Sequence, residues 1–268
     1  MTDDHVLRTG RAGERGEIVV WTLARPEALN AIDSALLAAL HAALDDVEAS
    51  AMADPIAIRA VVVTGEGGRA FSTGMDLRER TGFDDDALRA QRREIVRLMT
   101  RIHELPVPVM AAVEGFALGG GFELALACDL VVASETAVFG LPEVRVGIFP
   151  GGGGTQTLTW LVGPARARDV ILTGRRLTAS EAEKWGVVAR VVEAGLALQA
   201  AIDVAIVIAQ GAPIGIRQAK AAIRGAHRVL ATGMAEENAL YEEVLVSRDR
   251  REGFEAFAEK RPPRFEGR

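Results

Sequence analysis

The stretch Gly115-Phe116-Ala117-Leu118-Gly119-Gly120-Gly121-Phe122-Glu123-Leu124-Ala125-Leu126-Ala127-Cys128-Asp129 is the segment around which the rest of the chain is organised. It follows a β-branched, apolar run, 107–113, which predicts a buried strand. Its three consecutive glycines let the backbone turn sharply, and residues 122–127 favour a helix. The glycines are therefore predicted at a helix N-terminus, where unpaired N–H groups and the helix dipole favour negative charge.

Glu123 falls in the first turn of this predicted helix. The segment would thus combine amide donors for a developing oxyanion with a carboxylate that could move a proton. A purely structural role for this segment is equally compatible with its sequence. A glutamate near a helix N-terminus stabilises the helix whether or not it takes part in catalysis. Other parts of the sequence are needed to distinguish the catalytic from the structural interpretation.

The composition of the 268-residue chain is that of an ordinary globular protein, with enough residues for one large core or a core plus a small module. Its net charge of −6 argues against a nucleic-acid partner, which would favour a basic surface. Cys128 is the single cysteine, so the sequence cannot form an internal disulfide or a cysteine-based zinc site. No stretch approaches the roughly 18 to 20 apolar residues that span a bilayer, and the N-terminus does not resemble a signal peptide. A cytoplasmic protein without a membrane span is expected.

Strand-like and helix-like segments alternate in the first half of the chain, which predicts parallel strands joined by crossover helices. Residues 1 to about 15 are expected to form a loose leader. Strands are predicted at 17–23, 59–64, 107–113, 130–133, 137–140 and 187–192. Helices are predicted from Asp33 or Ser34 to about residue 52, from Asp84 to before Pro106, after the glycine run 151–154, and over most of the chain beyond Pro164. An irregular stretch is expected at 70–78 and a loop at 141–150.

Several kinds of site are unsupported by the sequence. No G-x-x-x-x-G-K-[ST] motif is present, no G-x-G-x-x-G turn follows the first strand, and no G-x-S-x-G elbow surrounds a serine. The four histidines are scattered without metal-like spacing and are predicted to be surface or helix-face residues. Carboxylates are therefore the best candidates for general acid–base chemistry.

Three motifs in order resemble the crotonase superfamily, and specifically the enoyl-CoA hydratases. They are Ala70-Phe71-Ser72-Thr73-Gly74-Met75-Asp76-Leu77, the central stretch 119–129, and Phe139-Gly140-Leu141-Pro142-Glu143 leading to Gly151-Gly152-Gly153-Gly154-Thr155-Gln156. The resemblance covers nearly the whole chain and implies an α/β fold, a crotonase-like (ClpP/crotonase) spiral of ββα turns. It further implies a spiral core with the catalytic site over residues 1–195 and a helical trimerisation region over 196–268.

The same resemblance implies an oxyanion hole made by the backbone N–H groups of Met75 and Gly120, which would grip a thioester oxygen. Glu123 and Glu143 match the two carboxylates of the family. The resemblance implies that Glu143 supplies a proton to the α-carbon while Glu123 activates water, and that the amide of Gly151 helps to hold that water. Two carboxylates beside one water should repel, which would keep one of them protonated near neutral pH.

The substrate-binding residues implied by the resemblance lie in two of the motifs and in the segment near residue 28. Asp76 could equally be a structural turn residue, and Arg78 a surface arginine rather than a phosphate ligand. Lys260, Arg261 and Arg264 could approach the nucleotide end of CoA or form a solvated tail. The predicted set is Ala28, Leu29, Thr73, Met75, Asp76, Leu77, Arg78, Gly119, Gly120 and Gly151.

The implied activity is reversible syn hydration of a 2-trans-enoyl-CoA to a 3-hydroxyacyl-CoA, without a metal or redox cofactor because CoA belongs to the substrate. The expected assembly is a homo-trimer or a dimer of trimers. An enoyl-CoA isomerase is the nearest alternative, and a non-catalytic CoA-binding or RNA-associated scaffold is a second; the presence of both glutamates favours hydration. Two features leave the acyl site open: the charged segment 81–101, and the lack of an arginine after Gln156, where relatives usually carry one.

Overall fold

The computed structural model describes residues 6–13, 16–51, 57–225, 234, 242 and 245–263. Its strands are β1 Val6–Gly13, β2 Gly16–Leu23, β3 Ile58–Gly65, β4 Ala70–Ser72, β5 Val109–Val113, β6 Phe116–Leu118, β7 Leu130–Ser134, β8 Val138–Gly140, β9 Arg176–Thr178 and β10 Arg190–Val192. Its helices are α1 Ser34–Ala51, α2 Leu77–Arg80, α3 Asp85–Glu104, α4 Gly120–Ala127, α5 Gly154–Val162, α6 Pro164–Thr173, α7 Ala179–Lys184, α8 Ala197–Ala209, α9 Pro213–Gly225 and α10 Arg248–Ala258.

The strands form two sheets that advance together along the chain. The larger sheet has the order β1-β2-β3-β5-β7-β10, and the smaller one β4-β6-β8-β9. The pairs β3–β4, β5–β6 and β7–β8 each place one strand in either sheet, and helices follow these pairs, so every turn of the chain advances both sheets by one strand. Pairing is parallel along this path, while β1 and β9 are added antiparallel. The predicted α/β class and spiral of ββα turns are confirmed.

The larger sheet is covered on both faces, which explains why its central strands are apolar throughout. Alternate residues of β3 point to opposite sides: Val61 and Val63 pack in the cluster that contains α1 and α3, while Ala60 and Val62 pack against α8. Because α8 lies on the sheet itself, the first helix of the predicted 196–268 region is part of this layer. The domain boundary at 195 and the trimerisation role stay predictions.

Capping residues fix the start of α1 and of α3. The Asp33 carboxylate accepts a hydrogen bond from the N–H of Leu36 at 2.8 Å, and the Asp84 carboxylate accepts one from Ala87 at 2.8 Å. Helix α3 ends at Glu104, two residues before Pro106, as expected. Both predicted N-termini are therefore correct. Of the two candidate caps of α1, Asp33 and Ser34, the structure identifies Asp33.

Three sequence-based expectations were wrong about local structure. Residues 6–13, expected to be a loose leader, form β1, which pairs with β2 over its full length. This strand lies at the edge of the sheet and is held there by backbone hydrogen bonds, which do not depend on the side chains. Its sequence therefore shows only a weak apolar pattern, from which a strand could not be predicted. The stretch 70–78 contains β4 and α2, and 141–150 contains a 3-10 helix, Glu143–Val146, because such short elements carry too few residues to show a period.

Within the described residues, no single helix has the length and apolar character needed to cross a membrane. Only α8 and α9 taken together reach that length and composition, and these two helices are bent by 111° relative to each other.

Candidate active site

A cavity of about 470 Å³ opens where the segments that follow β4, β6 and β8 meet α2, α3, α4 and α10. Its wall includes all the predicted catalytic residues and the whole predicted substrate-binding set, but not Lys260 or Arg261. The carboxyl ends of β4, β6 and β8 lead into the segments that carry these residues, so the spiral brings three distant motifs to one place. The predicted residues found in the wall are Ala28, Leu29, Thr73, Met75, Asp76, Leu77, Arg78, Gly119, Gly120, Glu123, Glu143 and Gly151.

The amides of Met75 and Gly120 face each other across a close backbone approach. A Cβ built on Gly120 would lie 3.6 Å from the nitrogen of Met75, and one built on Gly74 would lie 2.8 Å from the nitrogen of Gly120. Gly74 has φ +91°, so both space and conformation require glycine there. Gly120 is the first residue of α4, and its N–H therefore has no acceptor inside the helix. The two nitrogens therefore lie close to each other, and their binding of one common acceptor stays a prediction.

A parallel bridge orients the Met75 amide. Ile32 donates its N–H to the carbonyl of Gly74 at 2.8 Å, and its own carbonyl accepts the N–H of Asp76 at 2.9 Å. Because these two bonds lie on either side of Met75, the Met75 N–H points away from Ile32. The N–H of Thr73 is held in turn by the carbonyl of Leu29 at 3.2 Å.

The segment that makes this bridge is itself fixed by buried polar contacts. Leu29 and Asn30 both have left-handed backbone conformations, with φ of 52° and 55°. The Asn30 side chain, which is fully buried, donates to the carbonyl of Ala70 at 2.7 Å and accepts the N–H of Arg25 at 3.0 Å. Asparagine tolerates the left-handed conformation, and its side-chain amide forms hydrogen bonds with nearby backbone groups. These two properties account for an asparagine in the motif near residue 28.

Glu123 projects from the first turn of α4 into the cavity wall and is only 5% exposed. Its Oε1 accepts hydrogen bonds from the N–H groups of Gly152 and Gly154, each at 2.8 Å. Burial raises the pKa of Glu123, while the two amides and the nearby guanidinium groups of Arg92 and Arg80 oppose that rise. Both of these bonds reach Oε1, and neither of them reaches Oε2.

Glu143 is the first residue of the 3-10 helix and is also buried. A Cβ built on Gly119 would lie 3.4 Å from Glu143 Oε1, so this carboxylate stands beside the backbone that carries the Gly120 amide. Helix α10 supports the 3-10 helix closely, because a Cβ on Gly253 would lie 2.2 Å from the carbonyl oxygen of Val146. The second glutamate is therefore held in place by the C-terminal helix.

The polar residues predicted to bind CoA divide into two kinds. Asp76 caps α2 by accepting the N–H of Arg78 at 3.0 Å and forms an ion pair with Arg25 at 3.0 Å, which supports its interpretation as a structural turn residue. The side chain of Arg78 is exposed at the rim of the cavity. Arg261 forms ion pairs with Glu252 and Glu259. Arg264 lies outside the described residues.

Four site residues were missed from the sequence. Gly152 and Gly154 supply the amides that hold Glu123, although only Gly151 of that run was assigned a role. Arg80 and Arg92 also line the cavity: Arg92 lies in the segment 81–101, which the sequence analysis described only as charged, and Arg80 directly precedes that segment. A usable signal existed for Arg92, because it falls on the apolar face of α3, four residues after Leu88 and three before Ile95.

Comparison with known proteins gives a consistent result. Residues 13–268 match the family described as enoyl-CoA hydratase/isomerase. YngF of Bacillus subtilis, whose name places it with the enoyl-CoA hydratases/isomerases, is 44% identical over 92% of this chain and 93% of its own. The 2,3-dehydroadipyl-CoA hydratase of Escherichia coli is 40% identical over 94% of this chain and 96% of its own. A crystal structure of an enoyl-CoA hydratase from Bacillus anthracis is similar with a TM-score of 0.78 and 38% identity, covering 98% of this chain and 100% of the other.

Proposed function

Because the chain belongs to the enoyl-CoA hydratase/isomerase family, we propose that it is an enoyl-CoA hydratase that adds water reversibly to a 2-trans-enoyl-CoA. The observation that carries this choice is the presence of two buried glutamates, Glu123 and Glu143, on the wall of one cavity. An isomerase needs one group to move a proton between two carbons, whereas hydration needs a base for water and an acid for carbon.

The proposed reaction begins with the thioester oxygen between the amides of Met75 and Gly120. Glu123 takes a proton from water, and the hydroxide so formed bonds to the β-carbon. The C=C electron pair moves to the thioester, so that the oxygen carries enolate charge next to the two fixed N–H donors. Loss of one such donor in other enzymes costs a factor of about 10² to 10³ in rate.

The second proton completes the addition. The enolate collapses, its α-carbon takes a proton from the carboxylic acid of Glu143, and the product is a 3-hydroxyacyl-CoA. Glu123 is then protonated and Glu143 ionised, and exchange of these protons with water restores the starting state. Two contacts support this division of roles: Glu123 accepts hydrogen bonds from the amides of Gly152 and Gly154, and Glu143 lies beside Gly119. The amide of Gly151, on the same wall, is proposed to orient the water.

The CoA moiety is proposed to lie along Ala28 and Leu29 and past Arg78 at the cavity rim. In this proposal the reaction uses no metal or redox cofactor, since all charge movement is handled by two carboxylates and two amides. A homo-trimer or a dimer of trimers and a cytoplasmic location complete the proposal.

Incubation of the protein with crotonyl-CoA tests the proposed reaction. We expect the absorbance of the conjugated thioester to fall and 3-hydroxybutyryl-CoA to appear. Turnover of a 3-enoyl-CoA without any turnover of crotonyl-CoA would assign the isomerase reaction instead. Tight binding of CoA ligands with no turnover of either substrate would assign a binding scaffold.

A further inference from the structure

Arg25 contacts two residues of the cavity wall, Ala31 and Asp76, without being among the described residues that line the cavity. Its side chain is 14% exposed, and its Nη2 forms ion pairs with Asp33 at 3.2 Å and with Asp76 at 3.0 Å. Its Nη1 donates to the carbonyl oxygen of Ala31 at 2.5 Å. Two carboxylates therefore fix the guanidinium through one nitrogen, and the other nitrogen holds a backbone oxygen.

That backbone oxygen belongs to the peptide group that precedes Ile32. In a planar trans peptide group the carbonyl of Ala31 and the N–H of Ile32 point in opposite directions. Arg25 thus holds one side of this group, while the Ile32 N–H on the other side donates to the carbonyl of Gly74 at 2.8 Å. The Gly74 carbonyl in turn shares a peptide group with the N–H of Met75. One chain of hydrogen bonds therefore runs from the guanidinium through two peptide groups to the Met75 N–H.

A further contact holds the segment on the other side of Met75. The N–H of Asp76 donates to the carbonyl of Ile32 at 2.9 Å, and the carboxylate of Asp76 accepts a hydrogen bond from Arg25 at 3.0 Å. The guanidinium therefore contacts the residues on both sides of Ile32 and the residue after Met75. It links the two segments of the bridge and restrains their relative position.

The bridge needs such a restraint because little else holds it. The pairing of Ile32 with Met75 is isolated and lies outside the strands of both sheets. Gly74, directly before Met75, is a glycine with φ +91°, and glycine leaves the backbone more conformational freedom than any other residue. A misplacement of about 1 Å in an active site can lower the rate by about 10²-fold, so the direction of this N–H matters.

We propose that Arg25 is a positioning residue that aligns the Met75 N–H with the thioester oxygen. This inference rests on the proposed hydratase function, in which that N–H stabilises the enolate. Arginine suits the task because its planar guanidinium presents several donors in fixed directions. Because the charge on the oxygen grows towards the transition state, a misaligned Met75 N–H lowers kcat more than it changes KM.

Kinetics on crotonyl-CoA provide the first test. Arg25→Gln removes both ion pairs, and Asp76→Asn removes one of them while its amide oxygen can still cap α2. Each variant is expected to lower kcat by about 10- to 10²-fold, less than the loss of a whole oxyanion-hole donor, with little change in KM. Arg25→Lys keeps the charge without the planar fork and should lose less. The double variant Arg25→Gln/Asp76→Asn should lose no more than the weaker single variant, because both residues act through one contact.

The infrared spectrum of a bound saturated thioester provides a second test that needs no turnover. Butanoyl-CoA that is isotopically labelled at its carbonyl carbon has no C=C bond to hydrate. Hydrogen bonds to the carbonyl oxygen weaken the C=O bond and lower its stretching frequency. We expect this frequency to be higher for the ligand bound to Arg25→Gln or Asp76→Asn than for the ligand bound to the wild-type protein. A role in the fold alone would not change it.

Arg101→Gln is the matched control. The Arg101 side chain is also 14% exposed and also pairs with two carboxylates, those of Asp45 and Glu48. It joins α3 to α1 and is not among the described residues that line the cavity. Its substitution should leave both kcat and the carbonyl frequency unchanged.

The outcomes separate the two proposals. Normal kcat and an unchanged carbonyl frequency in Arg25→Gln would overturn the inference and leave the hydratase function standing. If Arg25→Gln does not fold, Asp76→Asn and Arg25→Lys decide by the same two measurements. If the wild-type protein hydrates no enoyl-CoA, the hydratase function fails, and the spectrum of bound butanoyl-CoA decides the inference: a raised frequency in Asp76→Asn supports it, and an unchanged frequency overturns it. Failure of the wild-type protein to bind butanoyl-CoA would overturn both proposals.

Discussion

At the scale of single residues, the two glutamates are the first test of the mechanism. Glu123→Gln and Glu143→Gln keep the size of the side chain and remove its capacity to exchange a proton. Each is expected to lower kcat by a factor of about 10² to 10⁴, the usual contribution of one acid or base. Binding of a non-reactive CoA ligand should survive, because the amides of Met75 and Gly120 are backbone groups.

Steady-state kinetics and calorimetry measure these two effects. Glu135→Gln is a suitable control, because Glu135 is exposed on the segment after β7 and lies away from the cavity. Full activity in either Glu123→Gln or Glu143→Gln would remove that residue from the proposed chemistry.

The pH dependence of the reaction follows from the burial of Glu123. Burial raises the pKa of this carboxyl above its ordinary value of 4.5, although two amides and two arginines oppose the rise. Glu123 must be ionised to take a proton from water. As the pH falls, it becomes protonated sooner than an ordinary glutamate, and kcat/KM should decline on an acid limb that lies above pH 4.5. A profile of kcat/KM that stays flat down to pH 4.5 would contradict this assignment.

The residues of the site differ in how far the sequence could predict them. Glu123, Glu143 and the glycines around residues 74 and 120 belong to recognisable motifs, and the cavity contains all of them. Arg80 and Arg92 were missed because the sequence analysis weighed the charge of this region and not the periodicity of its apolar residues. The periodicity of α3 alone would have placed Arg92 on the buried face, but Arg80 lies on a helix of four residues, too short to show any period.

At the scale of elements, the contact between α4 and β4 depends on one glycine. A Cβ on Gly121 would lie 2.2 Å from the carbonyl oxygen of Ser72, a backbone atom that cannot move aside. Gly121→Ala is therefore expected to lower the free energy of unfolding by about 3 kcal/mol, the upper range for overpacking. Urea unfolding followed by circular dichroism measures the change.

Gly215→Ala is the matched comparison for that substitution. Gly215 lies within α9, and the nearest atom to its added Cβ would be the Cβ of Ala212 at 3.8 Å, an ordinary contact. This change should raise the free energy of unfolding by roughly 0.5 kcal/mol, since alanine is a better helix residue than glycine. Equal stability of the two variants would show that the close approach of α4 to β4 is not constrained as described.

The sequence predicted the long elements of the chain better than the short ones. Strands such as β3 and β5 were expected because they are continuous apolar runs, and α3 was expected from its cap and the proline after it. The three-residue strands β4, β6 and β9 were not, since three residues cannot display an alternation. These short strands form the second sheet and deliver the site segments, so the positions of the functional residues followed from family resemblance rather than from periodicity.

At the scale of the whole molecule, α8 and α9 expose large apolar side chains that the described residues do not cover. Val207, Ile214 and Ile223 are 66%, 61% and 67% exposed, while the opposite face of α8 packs on the larger sheet. Exposed apolar residues on neighbouring helices are typical of a surface that another protein buries. The trimer proposed from family resemblance would use this part of the chain.

We expect light scattering to report the mass of a trimer or of two trimers, and Val207→Glu to shift the protein towards smaller species, because a charge would then be buried against a second copy. Leu172→Glu is the control, since Leu172 is 69% exposed on α6, outside the 196–268 region, and its substitution should leave the mass unchanged. Equal effects of the two substitutions would show that α8 has no special part in assembly. A monomeric wild-type protein that still hydrates crotonyl-CoA would separate the proposed chemistry from the proposed assembly, since every group in the reaction scheme comes from one chain.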